Sequence, residues 1–313
     1  MAIDKNFIDQ FIKVTSRAAL SSSYLIGKKD KFAADKAAVD SMRSELNKMN
    51  IQGEIVIGEG ELDEAPMLYI GEKVGNKNGP ELDIAVDPLE GTNFAANNLP
   101  GALSVIAISE KSNLLNAPET YMEKISTKVT EKNVIDLDYS VKKNISNLSD
   151  YLNKNPENIT ACILDRPRHA KIIDELKRMK VKLKLISDGD VSGALLVTEN
   201  RHNVDIFLGI GGGPEGVLAA SALDTFGCSF QGRFLFETDE DKSRAKKMGI
   251  NDLKKKYELN EIVSGDSIFC ATGITSGDLV AGIKIQNNEF ISETLVTHKS
   301  SGLKKVIKLK QNI

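Results

Sequence analysis

The stretch Ala161-Cys-Ile-Leu-Asp-Arg-Pro-Arg-His-Ala-Lys-Ile-Ile-Asp-Glu-Leu-Lys-Arg-Met-Lys-Val-Lys-Leu-Lys-Leu-Ile186 sets the rhythm from which the fold is read. Ala161 to Leu164 is a short apolar run of strand length, a helical segment follows over about 169 to 180, and Val181 to Ile186 returns to strand. The alternation continues with a helix at about 190 to 198, a strand from Val204 to Leu208 and a helix at about 214 to 226. Such a β-α-β-α-β-α order builds a doubly wound α/β unit, whose sites sit at the carboxyl ends of its strands. Towards the N-terminus the pattern changes. Phe7, Phe11, Val14 and Ala18 fall at helical spacing within residues 3 to 20. A second helix starts after Asp30, with Phe32, Val39, Met42, Leu46 and Met49 on one stripe. Glu54 to Ile57, Ile84 to Val86 and Leu103 to Ile108 read as strands, each bounded by Gly, Pro or Asn. Residues 110 to 158, rich in Asn, Lys and Ser, read as a connection between two lobes. Residues 237 to 261 are highly charged and read as surface helix, and strands are expected at about 267 to 271, 279 to 285 and 290 to 297. The expected division is an N-terminal lobe over 1 to 130 and a doubly wound C-terminal lobe over 131 to 313.

Composition narrows the class of partner. A chain of 313 residues can bury a sizeable core as one large domain or two ordinary ones. Net charge is −3 and pI about 5.8, with lysines and acids interspersed, so no basic face suggests nucleic acid or an anionic membrane. A small-molecule partner is expected. Cys162, Cys228 and Cys270 lie far apart in apolar segments and lack the paired spacing of a zinc site, which leaves buried free thiols in a reducing compartment as the expectation. Met-Ala-Ile-Asp-Lys places charges where a signal peptide needs an apolar core, and no run of about 18 apolar residues occurs, so a cytoplasmic setting is expected.

The informative residues are acids set against the apolar pattern, because burying an unpaired carboxylate is costly unless a cation or proton compensates. Asp35 lies three residues after Phe32 and four before Val39, on the stripe of the second helix. Helix amides or a lysine would also satisfy it. Glu59 follows the strand Glu54 to Ile57 and opens Glu59-Gly-Glu-Leu-Asp-Glu64, which is either a carboxylate cluster at a strand mouth or a solvated acidic loop. Asp87 closes Asp83-Ile-Ala-Val86, and Pro88 is expected to stop the strand there by removing a ladder donor. Glu90 follows, then Gly91-Thr92, where Thr92 either caps a helix or presents its hydroxyl beside a helix start that attracts anions. Val204 to Leu208 runs into Gly209-Ile-Gly-Gly-Gly-Pro-Glu-Gly216, an anion-cradling loop that also carries Glu215. Pro214 stands where a dinucleotide fingerprint needs glycine, which argues against a nicotinamide site. Asp35, Glu59, Asp87, Glu90 and Glu215 are all hard oxygen donors, suited to Mg²⁺ or Mn²⁺. Two such ions can activate water and stabilise the leaving oxygen of an in-line phosphoryl transfer.

An ordered set of motifs resembles the class II fructose-1,6-bisphosphatases, the GlpX family, within the metal-dependent sugar and inositol phosphatases. It comprises Gly27-Lys-Lys-Asp-Lys31 with Ala33-Ala-Asp35, Ile55-Val-Ile-Gly-Glu-Gly-Glu-Leu-Asp-Glu-Ala-Pro-Met67, Asp83-Ile-Ala-Val-Asp-Pro-Leu-Glu-Gly-Thr92 and Asn116-Ala-Pro-Glu-Thr-Tyr-Met122. It continues through Arg166-Pro-Arg-His169, Asp188-Gly-Asp190, Gly209 to Gly216 and Ala271-Thr-Gly-Ile-Thr275, so it spans nearly the whole chain. The resemblance implies a layered α-β-α-β-α sugar-phosphatase fold with two sheet-containing lobes, the first binding metal and the second binding sugar. It implies metal ligation by Asp35, Glu59, Asp87, Glu90 and Glu215, and catalysis by Asp63 and Thr92 with Lys31 assisting. Substrate contacts are implied for Glu90, Gly91, Thr92, Tyr121, Arg166, Pro167, Arg168, Asp188, Gly189, Asp190 and Gly212. The arginines suit the uncleaved phosphate through bidentate hydrogen bonds, and the aspartates suit sugar hydroxyls. His169 is expected only to cap its helix.

The implied activity is metal-assisted hydrolysis of fructose 1,6-bisphosphate, as in gluconeogenesis, by a homo-oligomer, with Thr92 either orienting water or attacking directly. The segment after Arg233 is shorter than the family's usual one, and 126 to 158 is unusually rich in Asn and Lys; neither touches the site motifs. A broader phosphatase for sedoheptulose 1,7-bisphosphate or inositol monophosphates is the competing enzymatic reading. A sugar-phosphate sensor would keep the arginine clamp but need neither Asp63 nor Thr92.

Overall fold

The computed structural model describes residues 2–58 and 68–313. Glu59 and Asp63, both expected at the site, lie outside the described residues. In chain order the elements are α1 (Phe7–Ser23), α2 (Lys31–Leu46), β1 (Gln52–Ile57), β2 (Lys73–Val74), β3 (Glu81–Glu90), α3 (Thr92–Ala96), β4 (Leu103–Glu110), β5 (Tyr121–Thr127) and α4 (Val141–Leu152). There follow β6 (Thr160–Leu164), α5 (Ala170–Arg178), β7 (Lys182–Ile186), α6 (Asp190–Leu195), β8 (Ile206–Gly212), α7 (Gly213–Phe226), β9 (Ser229–Leu235) and α8 (Asp239–Lys247). The chain closes with β10 (Tyr257–Glu258), β11 (Ser267–Gly273), β12 (Lys284–Gln286), β13 (Glu289–His298) and β14 (Leu303–Asn312). No helix among the described residues is long and apolar enough to cross a membrane.

Contacts divide the chain into one unit made of Met1–Asn116 with Val263–Ile313 and a second made of Ala117–Ile262. This departs from the expected boundary at 130 and from an unbroken C-terminal lobe. The reason is strand pairing: β11 runs antiparallel to β4, from Ser267 opposite Ser109 to Gly273 opposite Leu103, which returns the C-terminal strands to the first unit.

Among its described residues the first unit carries an eight-stranded sheet in the order β12-β13-β11-β4-β3-β1-β2, with β14 along β13. β1 and β3 are parallel. Phe11, Ile12, Val14 and Ala18 of α1 and Val39, Met42 and Leu46 of α2 enter one core with Ile55, Ile84 and Ile106 of the sheet. α2 begins where expected because the Asp30 carboxylate accepts the Ala33 N–H at 2.9 Å, a helix N-cap. Its stripe is corrected at the start: Phe32 is 89% exposed, while Ala34 and Ala38 are buried. At about 100° per residue Phe32 points within about 20° of the buried Val39, so its exposure comes from its place on the first turn of α2 and not from the helix face it lies on. Asp35 borders that face and is half-buried.

The second unit holds a six-stranded sheet among its described residues, in the order β10-β9-β5-β8-β6-β7. β6 lies between β7 and β8 and is parallel to both, which is the alternation read from residues 160 to 226. Three strands of this sheet, β5, β9 and β10, escaped that reading. β5, inside the stretch taken as a connection, pairs antiparallel with both β8 and β9. Its sequence Tyr-Met-Glu-Lys-Ile-Ser-Thr hides a buried strand behind two charges, one of them the fully buried Lys124. Ile125, Ile145, Leu148, Leu176, Ile206 and Leu208 form this unit's core. The charged stretch after 237 becomes the short α8, started by a capping box at Thr238 and Asp241. With the two sheets in place, the α/β class and the two sheet-containing lobes are as expected.

Candidate active site

In the first unit the site residues gather where β3 leaves the sheet. Pro88 does not stop the strand, contrary to expectation: β3 continues to Glu90. Asp87 lies opposite Val105 and Glu90 opposite Leu103, so three steps on β3 face two on β4. That is a β-bulge, a place where proline costs no ladder bond. The bulge brings carboxylate oxygens of Asp87 and Glu90 within 4.8 Å of each other. Glu90 is only 5% exposed. Gly91 then turns the chain at φ +78°, and a Cβ there would meet the Phe94 ring at 2.8 Å, so glycine is required. Thr92 is the first residue of the five-residue α3, and Gly91 holds the N-cap position, so Thr92 does not cap it.

Lys31 and Asp35 stand on the first turns of α2, which packs against α3 and β3. The loop before α2 is pinned to α3 by Gly27 N–H to Ala95 O and Lys29 N–H to Ala96 O, each 2.9 Å. Lys31 is exposed. Burial pushes the Asp35 carboxyl from its ordinary 3.8 to about 6.

In the second unit the expected substrate residues lie past the carboxyl ends of the three parallel strands, where a doubly wound sheet binds ligands. After β6, Pro167–His169 form a single 3-10 turn. Arg168 Nε donates to Ile210 O at 3.0 Å, and its guanidinium lies 4.8 Å from the centre of the Tyr121 ring, so the two side chains brace each other. Arg166 Nη2 is 3.6 Å from Asp188 Oδ1. His169 stands at the N-cap of α5 but its side chain makes no cap bond there; instead the Ile210 N–H donates to its Nε2 at 2.7 Å. That bond makes Nε2 the acceptor, so Nδ1 carries the proton and donates to Leu164 O at 2.7 Å. Burial lowers its pKa, and the neutral ring ties β6 to β8.

After β7, Gly189 turns at φ +82° into α6, whose first residue is Asp190. Asp190 is buried and paired with the buried Lys124. At the end of β8 the glycines serve carboxylates. A Cβ on Gly211 would fall 1.9 Å from Asp190 Oδ2, and one on Gly212 1.8 Å from Glu215 Oε2. The run read as an anion cradle therefore makes room for two acids. Burial raises the Glu215 pKa against the pull of Lys124.

The chain matches the family model described as bacterial fructose-1,6-bisphosphatase, glpX-encoded, over residues 5–311. The chain belongs to the class II fructose-1,6-bisphosphatase family. It is accordingly a phosphatase. A curated relative from Trichodesmium erythraeum (strain IMS101), named D-fructose 1,6-bisphosphatase class 2/sedoheptulose 1,7-bisphosphatase, is 40% identical over 93% of this chain and 92% of its own. The protein of that name from Prochlorococcus marinus (strain MIT 9301) is 40% identical over 94% and 92%. Among solved structures, an inositol monophosphatase from Anabaena (Nostoc) sp. PCC 7120 aligns with 62% of this chain and 71% of its own, at 15% identity and a TM-score of 0.31.

Within this bisphosphatase family member, sequence reasoning missed Lys124 and the bracing role of His169. The signal for Lys124 was present: Glu123-Lys124 interrupts Met122 and Ile125 in a strand-length segment. A charge set inside apolar neighbours asks for a buried partner, as the acids do.

Proposed function

We propose that the chain hydrolyses fructose 1,6-bisphosphate to fructose 6-phosphate and phosphate with Mn²⁺ or Mg²⁺. The observation that carries this reading is the Asp87 and Glu90 pair at the β3 bulge, two carboxylates with oxygens close enough to share one cation. Their all-oxygen chemistry fits a hard divalent ion, with Glu215, Asp35 and Glu59 as the further ligands. Bound there, the ion supplies Lewis-acid stabilisation of the scissile phosphate and of the leaving oxygen. Asp63 and Thr92 position or deprotonate the nucleophile, and Lys31 adds positive charge beside the phosphate. Arg166 and Arg168 take the uncleaved phosphate, with Arg168 already oriented by Tyr121 and Ile210. Glu90, Gly91, Pro167, Asp188, Gly189, Asp190 and Gly212 complete the substrate contacts. Sedoheptulose 1,7-bisphosphate is a second substrate of the same site, favoured by the double name of the relatives.

Purified protein is expected to release phosphate from fructose 1,6-bisphosphate with either metal, and to lose this with EDTA or on Asp87→Ala. A phosphate-release panel over sugar bisphosphates, sugar monophosphates and inositol phosphates tests it. Release from inositol monophosphate with none from the bisphosphate would overturn the substrate assignment. Cys162, Cys228 and Cys270 are all buried, which supports a reducing, cytoplasmic setting.

A further inference from the structure

Lys124 sits in the middle of β5, opposite Gly209 of β8 on one side and Gly232 of β9 on the other. It is not among the residues assigned to the reaction above. Its side chain is 1% exposed, and the Asp190 carboxylate paired with it is 9% exposed. Taking both charges out of water is expensive, and an apolar residue of similar volume would serve packing better, so stability does not account for the pair. The room for it is built in. Gly211 lacks the Cβ that would strike the Asp190 carboxylate. Only one Asp190 oxygen is used: Oδ2 takes the lysine, while Oδ1 is buried without a hydrogen-bond partner. An unmatched buried acceptor is costly, so Oδ1 calls for a donor that the surrounding side chains do not supply.

We propose that Lys124 is a positioning residue for substrate: it holds Asp190 by Oδ2 above Gly211, so that Oδ1 stands ready to accept a hydroxyl of the sugar phosphate. This rests on the reading of Asp190 as a sugar contact. Lys124 touches no reacting atom: its hydrogen bond goes to Asp190, and its charge also pulls on Glu215. Its loss therefore weakens substrate capture more than turnover.

The test is steady-state kinetics of Lys124→Met, Asp190→Ala and the double variant, on whichever phosphorylated sugar the wild-type enzyme hydrolyses. Lys124→Met is expected to raise KM about tenfold, the scale of one lost hydrogen bond, with kcat within about threefold of wild type. The double variant is expected to match the KM of Asp190→Ala, because without the carboxylate the lysine has nothing to place. A lysine that only stabilises the fold would lower the melting temperature and leave KM alone. A folded Lys124→Met with wild-type KM, or KM effects that multiply in the double variant, would overturn the proposal. Should Lys124→Met not fold, the double variant decides: it removes both buried charges, and a KM well above that of Asp190→Ala counts against the proposal. Failure of fructose 1,6-bisphosphate as substrate appears in the wild type and leaves this comparison intact.

Discussion

Asp35 is an acid held at the edge of a helix's buried face, and the cost shows in a carboxyl raised by burial from 3.8 to about 6. A raised carboxyl pKa destabilises the folded state once pH exceeds the unfolded value; the penalty is absent below that value, grows up to about pH 6 and then levels off. In metal-free protein Asp35→Asn is expected to be more stable than wild type by roughly 1–2 kcal/mol near pH 8, allowing for solvent screening of a half-buried group. Near pH 3 the two should match. Urea unfolding in EDTA at both pH values reads this, and equal stability near pH 8 would show that Asp35 is already compensated. Asp35, Asp87 and Glu90 were legible because each is an acid set against an apolar pattern. Lys124 was not, because a lysine beside Glu123 reads as a solvated strand face until Asp190, 66 residues on, is placed against it.

Among elements, the alternation from β6 to α7 was legible since its strands are apolar and its helices long enough to declare a period. β9 was not, because Gln231-Gly-Arg233 breaks its apolar run, although Gln231 is buried and donates to Glu258 Oε1 at 2.9 Å. The end of β3 was misread for a different reason: Pro88 removes one donor, and a bulge absorbs that loss without ending the strand. The elements of the first unit meet at Asp266, just before β11. Its oxygens accept from Ile3 N–H at 2.8 Å, Ser267 N–H at 3.0 Å and Ser300 N–H at 2.8 Å, with His298 Nε2 at 3.1 Å. Burial opposes ionisation, but the Ser300 and Ile3 hydrogen bonds and the His298 charge outweigh it and hold the pKa below the usual range. Stability from this carboxylate is therefore present above the unfolded pKa and lost as pH falls through the folded one. Asp266→Ala is expected to cost about 2–4 kcal/mol near neutral pH by stranding buried donors, and less near pH 3. Thermal unfolding at the two pH values measures it; a neutral-pH cost no larger than the acid one would remove Asp266 as an anchor.

For the whole molecule we propose a homo-oligomer, with the 89% exposed Phe32 as the contact to test. Light scattering is expected to return a multiple of 34.1 kDa, and Phe32→Glu is expected to lower it; a wild-type monomer at assay concentration would end that reading. From the sequence alone came the α/β class, the doubly wound segment, the helix start at Asp30, the family and its phosphatase chemistry. These rest on local periods and on residue types whose chemistry is the same wherever they fold. Tertiary structure alone decided that β11 to β14 return to the first unit, since a strand's partner is set by sheet pairing between residues as far apart as Ser109 and Ser267. It also decided that Pro88 lies in a bulge, that Phe32 is exposed, and that the glycines ending β8 make space for Asp190 and Glu215. Each of these depends on what a distant segment places alongside, which no local pattern contains.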